Sequence, residues 1–389
     1  ALLPAIPIVT LSSVLRSYYY GLKTVEPAAI AQIFEQILRI IFVIGLLNYL
    51  KPISLNYSIT IVTLGIFIGE FGGLLLLISS FQRYNDSKSF PITLPQPHVI
   101  STLGKIISIS FPITIARLIS VIMQSVNMFI VPQRLQVAGY NLNQSVSTFG
   151  EVVGMTLPLL FLPFIVTSAL VVNIIPNISE EKVHKKWTNI NMKSILAIRI
   201  AILIAIPTGF LFYFFSKPIC MFLYNKSSVG IYLKYLSFTV IFLSLHHIIS
   251  GILHGMGKQI ITTINYLIGT SIHLLCVYFL TANPRIGIKG FNIGFLFSTF
   301  IMFLLNYISL KKYISIKLNV FKHIIKPILA SLIMIMSMKL FYKLLLGLLV
   351  SLKLTIVLTI LLGGILYCIL ILITGSIKIQ TINFIIFGK

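Results

Sequence analysis

Apolar residues run along this chain in long blocks, without the two-residue alternation of a half-buried strand, and short polar stretches separate the blocks. A helix crossing the hydrocarbon core of a bilayer needs about 20 such residues. Blocks of that size fall near residues 1–20, 28–50, 57–82, 106–131, 148–176, 193–215, 229–252, 260–281, 290–310, 324–346 and 354–375. They predict eleven transmembrane helices and an all-α integral membrane fold. A membrane barrel would show short segments of alternating polarity instead.

The pattern also repeats. Residues 2–40, LLPAIPIVTLSSVLRSYYYGLKTVEPAAIAQIFEQILRI, return in weaker form 234 residues later, where Gly21 meets Gly255, Ile30 meets Ile264, Ile33 meets Leu267 and Arg39 meets His273. Many transporters are built from such duplicated blocks, as two lobes around a shared cavity. The helices that begin near Ser101 precede the second copy and have no counterpart before Ala1. Roughly 130 residues, enough for three helices of the usual length, are therefore expected upstream, and the chain reads as N-terminally incomplete. Residues 1–82 are expected to be the remainder of a first lobe and 83–105 a cytoplasmic linker. Residues 106–310 would form a six-helix second lobe, and 311–389 a basic loop with two further helices. That last pair, apolar on most faces, is expected to pack on the second lobe and to place Phe341, Tyr342 and Tyr367 at interfacial ends.

Composition agrees with a lipid solvent: 57% of residues are hydrophobic, 10% are charged, and the mean hydropathy is +1.02. The first residues have no basic leader and no cleavage site, so they do not read as a signal peptide. A net charge of +23 raises nucleic acid or anionic lipid as partners. The basic residues gather at block ends rather than along an aromatic-lined groove, which favours membrane lipids and speaks against nucleic acid. Alternate connections carry sixteen and ten Lys and Arg. The richer side, which includes the C-terminus, is expected in the cytoplasm, making this a multi-pass protein of the cell membrane.

Ionisable side chains inside such helices are costly and mark function by default. Glu35 and Arg39 stand one turn apart in the favourable order for a pair. Arg117 and Arg199 lie within blocks that offer no local acid, Arg16 lies near a block end, and Glu70 and Glu151 fall inside blocks. If Arg117, Arg39, Arg16 and Arg199 face one cavity, it is electropositive and takes an anion, and the planar guanidinium fork suits phosphate. Glu35, Glu70, Asn127, Glu151 and His273 are then candidates for ion coupling or polar lining. His246, His247 and His273 are candidate proton carriers. The plainer alternative is a buried Glu35–Arg39 pair, an Arg16 that reaches the interface, and histidines that pack. Cys220, Cys276 and Cys368 stand singly in or beside apolar blocks, so neither a disulfide nor a metal framework is indicated. No cofactor is implied. The physical reading is a carrier of a phosphorylated, amphipathic solute.

Residues 2–40 resemble the stage V sporulation protein B branch of the polysaccharide and peptidoglycan precursor flippases. So do VNMFIVPQRLQVAGY (126–140), FGEVVGMTLPLLFLPFIVTSALVVNIIPNISE (149–180) and GILHGMGKQIITTINYLIG (251–269). The resemblance implies the fold shared with multidrug and toxin extrusion transporters: two six-helix lobes plus two C-terminal helices, fourteen in all. It also implies alternating access that moves a lipid-linked anionic sugar precursor across the cytoplasmic membrane. The family often carries an acid where this chain has Asn127, so ion coupling at that position is not implied. Cation-coupled drug efflux is the alternative function. A membrane-embedded transferase would need a reactive cluster at one face, for which Glu180, Glu181 and His184 are the candidates, and they look like a solvated helix end. No connection is long enough to hold a soluble catalytic domain, so an enzyme is not expected.

Overall fold

In hydrocarbon every backbone N–H and C=O must find a partner within the protein, and a helix provides one inside a single segment. The computed structural model describes residues 3–50, 55–86, 99–315, 319–347 and 351–375, and every regular element among them is helical. The chain divides into two compact units between His98 and Val99.

The first unit holds α1 (Ala5–Gly21), α2 (Glu26–Leu50) and α3 (Leu55–Asp86). Its small core joins Tyr19, Ala28, Ala31 and Leu77. Alanines on α2 and glycines on α3 let these two helices approach closely, as small residues do where lipid supplies no hydrophobic drive. A Cβ on Gly69 would press on the Glu35 carbonyl, and one on Gly73 would meet the Glu35 side chain.

The second unit begins with α4 (Val99–Val137) and α5 (Leu142–Gly150), whose start is closed by a reciprocal cap between Asn141 and Gln144. A π-helical segment, Glu151–Thr156, leads into α6 (Leu157–Leu160), and α7 (Phe164–Val183) follows after a 54° bend. Then come α8 (Trp187–Tyr224), α9 (Val229–Leu236), α10 (Thr239–Gly255), α11 (Gln259–Leu280) and α12 (Lys289–Lys311). A second π-helical segment, Phe321–Ile325, opens α13 (Lys326–Gly347), and α14 (Leu352–Ile373) ends the described chain. Two large apolar cores run through this unit. One includes Leu135, Phe212, Leu236 and Tyr367, and the other Ile178, Ile198, Ile249 and Leu310.

Two of the expected straight spans are bent. The 148–176 block breaks after α6, at the Phe161-Leu162-Pro163 turn, where a proline cannot continue the ladder. The 229–252 block breaks by 53° between α9 and α10 with no proline in it. Among the described residues eight helices are long and apolar enough to cross a membrane, and ten spans result if each bent pair counts as one. The count of eleven is not confirmed: α1, with 17 residues, is at the lower limit of about 17 for a span and stands outside these ten. Helices α3 and α4 extend into the expected 83–105 linker; its residues 87–98 lie outside the described residues, as do 316–318 of the basic loop and 376–389 at the end.

The repeat is visible in the helix bounds. Moved along by 234 residues, α1 covers Thr239–Gly255, the full extent of α10, and the first residue of α3 falls on Lys289, the first of α12. In each triplet the third helix packs on both others, while the first two touch little. The turn after the first helix passes through the left-handed region at the matching position, Lys23 (φ 60°) in one copy and Gly257 (φ 72°) in the other. A lysine accepts that conformation at some cost, whereas glycine meets no steric penalty there.

The C-terminal pair packs on α8. Tyr342 sets its ring edge-on to Phe215, with centroids 5.9 Å apart. Tyr367 is not at an interface: it is buried, and its hydroxyl donates to the Leu203 carbonyl of α8.

Candidate functional site

The first unit gathers four ionisable side chains where its three helices meet. Arg16 on α1 donates to Glu35 Oε2 at 2.7 Å, and Arg39, one turn further along α2, donates to Glu35 Oε1 at 2.5 Å. Glu70 on α3 lies 3.7 Å from Arg16 and 3.8 Å from Arg39. Both oxygens of the buried Glu35 are therefore occupied by guanidinium groups. The close approach at Gly69 and Gly73 is what brings α3 near enough for Glu70 to join. Two arginines face two carboxylates, so the group is neutral in formal charge.

This changes the setting of Arg39 and Arg16. Neither stands as an unmatched cation, and Arg16 does not reach out to an interface. The Glu35–Arg39 pair was legible from its spacing. The addition of Arg16 and Glu70 was not, because both belong to other helices.

The remaining candidates lie apart from one another. Arg117 is exposed on α4, three residues before Ser120, and among the described residues no carboxylate pairs with it. Arg199 is partly buried on α8 near His323. Glu151, the first residue of the π-helical segment, accepts from Lys226 at 3.4 Å and Ser228 at 3.3 Å, so it joins that segment to the turn between α8 and α9. Glu181 accepts from Lys193 at 2.7 Å and Asn189 at 3.0 Å, an ion pair at the α7–α8 turn rather than part of a reactive cluster with Glu180 and His184. Among the described residues no group of three or more His, Cys, Asp or Glu is placed to hold a metal ion.

Sequence reasoning missed a buried amide network in the second unit. Asn306 on α12 is fully buried, and its Oδ1 accepts from Asn265 of α11 at 2.8 Å. Its Nδ2 donates to Ser250 at 2.9 Å and meets His246 Nδ1 at 2.9 Å, both on α10. Asn265 also donates to Ser309 at 3.4 Å. Because the amide can only donate there, His246 Nδ1 accepts and the ring proton sits on Nε2. This contact ties His246 into the amide network. His247 stacks on Phe164, with centroids 4.7 Å apart, and meets Thr167 at 3.2 Å. The same three-helix junction thus carries ions in the first triplet and neutral amides in the second. Polar residues one or two turns apart on separate helices were the available signal, but only packing assigns their partners.

Polar contacts also join α4 to α11. Ser120 receives the Tyr266 hydroxyl at 2.8 Å, and Arg134 donates to the Tyr278 carbonyl at 2.9 Å while lying 3.6 Å above that ring. These two contacts fix a register between α4 and α11 that sets Asn127 level with His273. Ser120, Asn127 and Arg134 recur every seven residues, so one face of α4 carries all three. His273 is 8% exposed and Asn292, on α12, is 2% exposed. Phe291 sets its ring 5.1 Å from that of His273. Asn127 Oδ1, His273 Nε2 and both polar atoms of Asn292 lack hydrogen-bond partners among the described residues. Buried amide and imidazole atoms seldom stay unmet, so these three residues are candidates for a polar role in the second unit.

The family described as Polysaccharide biosynthesis protein matches residues 1–155. Stage V sporulation protein B of Bacillus subtilis (strain 168) is 24% identical over 321 residues, covering 82% of this chain and 62% of that protein. Lipid II flippase MurJ of the same organism is 23% identical over 287 residues, covering 70% and 52%. The chain therefore spans less than two thirds of the length of these curated relatives. Among solved structures, Lipid II flippase MurJ in an inward closed conformation aligns with a TM-score of 0.61 at 19% identity, covering 94% of this chain and 71% of that one. The Vibrio cholerae MATE transporter VcmN in its bent form aligns with a TM-score of 0.62 at 14% identity, covering 79% and 68%. These likenesses show the fold, an all-helical one that those membrane proteins share. The resemblance drawn from the sequence alone points to the same group of proteins.

Proposed function

We propose that this chain forms most of a flippase for a lipid-linked anionic sugar or peptidoglycan precursor in the cell membrane, working by alternating access with its C-terminus in the cytoplasm. The observation that carries the reading is the similarity to Stage V sporulation protein B along 82% of the chain, on a fold shared with a lipid II flippase. The charges support it. The chain has 30 basic and 7 acidic residues, and the acids inside the first unit are already matched by Arg16 and Arg39. An organic cation would find little free negative charge there. Arg117 is the arginine best placed to take a phosphate, being exposed and unmatched among the described residues. Arg199 is the second candidate.

The set of Asn127, His273 and Asn292 is the proposed polar lining within the second unit, with His273 its one titratable member. Its composition is neutral, which fits a hydrogen-bonded guest or water better than a bare cation.

The test is flipping of a fluorescent lipid-linked pyrophosphate precursor by the full-length protein in proteoliposomes. Arg117→Ala is expected to lower the rate at least about tenfold, the scale of one lost charge-assisted hydrogen bond. Arg117→Lys, which keeps the charge and loses the fork, is expected to retain partial activity. Unchanged flipping in Arg117→Ala would remove the anion-binding role. Ion-driven efflux of a cationic dye without precursor flipping would favour the multidrug alternative, which the same fold supports.

A further inference from the structure

Helix α8 is irregular at two places, and the C-terminal pair touches it at both. Pro207 lies in its interior. A proline has no N–H, so the carbonyl four residues earlier, that of Leu203, loses its donor within the helix. A carbonyl unmet in a dry core is costly. Leu203 O is met from outside: the Tyr367 hydroxyl of α14 donates to it at 2.8 Å, across 164 residues of sequence. Tyr367 is 8% exposed, so water has little access to replace that bond. Eight residues after Pro207, about two turns on, Phe215 leaves helical geometry (φ −111°, ψ 16°), three residues before Pro218. Tyr342 of α13 sets its ring edge-on to Phe215 there. The two ends of the pair are tied together in turn, since Lys326 Nζ donates to the Thr374 carbonyl at 2.7 Å.

We propose that α13 and α14 are a brace for α8: Tyr367 replaces the hydrogen bond that Pro207 removes, and Tyr342 packs the second break, so that the pair sets how far α8 bends. The brace restrains an element that two prolines leave soft. Removing the hydroxyl frees α8 to flex about Leu203. This inference uses the second unit alone and does not depend on which solute the protein carries.

A double-mutant cycle in the full-length protein tests it, because Pro207→Ala restores an N–H that can meet Leu203 O from within the helix. Tyr367→Phe keeps the ring and deletes the donor. In the native background, Tyr367→Phe is expected to speed backbone amide exchange across residues 203–212 by about tenfold and to lower the thermal midpoint by several degrees. In the Pro207→Ala background the same change should shift exchange by less than about twofold, the donor being redundant there. Ser331 lies beside the Tyr367 hydroxyl, and a bond to Ser331 instead would make the effect of Tyr367→Phe equal in both backgrounds. Equal effects, or no effect in either, overturn the brace. If Tyr367→Phe alone fails to fold, recovery of folded protein in Tyr367→Phe/Pro207→Ala supports it, and failure of that double variant beside a folded Pro207→Ala overturns it.

Discussion

Glu35 is the residue on which the first unit turns, since it accepts from two arginines of different helices while almost fully buried. Removing one partner of a buried ionic group is more damaging than never having built it, because the others keep their desolvation cost. Glu35→Gln is therefore expected to destabilise the protein by about 3 kcal/mol, read as a loss in denaturant unfolding in detergent. Glu70→Gln should cost clearly less, since Glu70 sits 3.7–3.8 Å from its partners. Equal losses would mean that the four charges do not divide as the distances say. In the second unit the matching role falls to Asn306, which bonds three side chains on two other helices. Truncation by Asn306→Ala leaves Asn265 and Ser250 with unmet polar atoms, and about 1–3 kcal/mol should be lost. A shift below that range would show that the amide network is replaced by water. Of these residues only the Glu35–Arg39 pair could be read in advance, because i,i+4 neighbours are local on a helix, whereas Arg16, Glu70 and Asn306 depend on which helices come together.

At the scale of elements, the bend before α7 was legible in hindsight from Pro163, while the bend between α9 and α10 has no residue that announces it. It follows from packing on α8, where the Ser237 carbonyl lies 3.3 Å from the place a Cβ on Gly209 would occupy. Helix contacts of this kind set a second prediction in the first unit. A side chain at Gly69 cannot be accommodated by rotamer changes alone, because the obstacle is the Glu35 backbone carbonyl at 2.9 Å. Gly69→Val should push α3 from α2, part Glu70 from both arginines and cost at least about 1–3 kcal/mol, the range for overpacking. A Cys pair bridging α2 and α3 would then form more slowly than in the native background. Unchanged cross-linking would mean the helices do not meet at this glycine. The long helices were under-read in length for a related reason: α4 spans 39 residues and α8 spans 38, and their ends are polar enough to look like loops in a hydropathy pattern.

For the molecule as a whole, the orientation inferred from lysine and arginine placement makes a direct prediction. Ser227, between α8 and α9, and Lys312, after α12, are both exposed and fall on opposite sides in that scheme. In intact cells a membrane-impermeant thiol reagent should label Ser227→Cys, and it should label Lys312→Cys only after the membrane is opened. The reverse result would invert the topology, and labelling of both from outside would overturn the count of spans between them. The duplication holds at this scale too. The two triplets share helix bounds, packing order and a left-handed turn, yet one is closed by ions and the other by amides, so the repeat constrains backbone more than chemistry.

The sequence by itself determined that this is an all-helical membrane protein with an internal repeat, because apolar length and backbone satisfaction in lipid leave few alternatives. It also carried the resemblance that the comparisons support. Tertiary structure decided which charges are matched. A membrane helix shows all its faces in one line of sequence, and only packing tells whether an arginine meets a carboxylate from another helix or stays free. The sequence pairs Arg39 with Glu35 but gives Arg16 and Arg117 no acid on their own helices, and the structure closes Arg16 on Glu35 and Glu70 while Arg117 is left exposed. For the same reason Tyr367, which reads as a belt aromatic, proves to be the donor that a proline on another helix lacks.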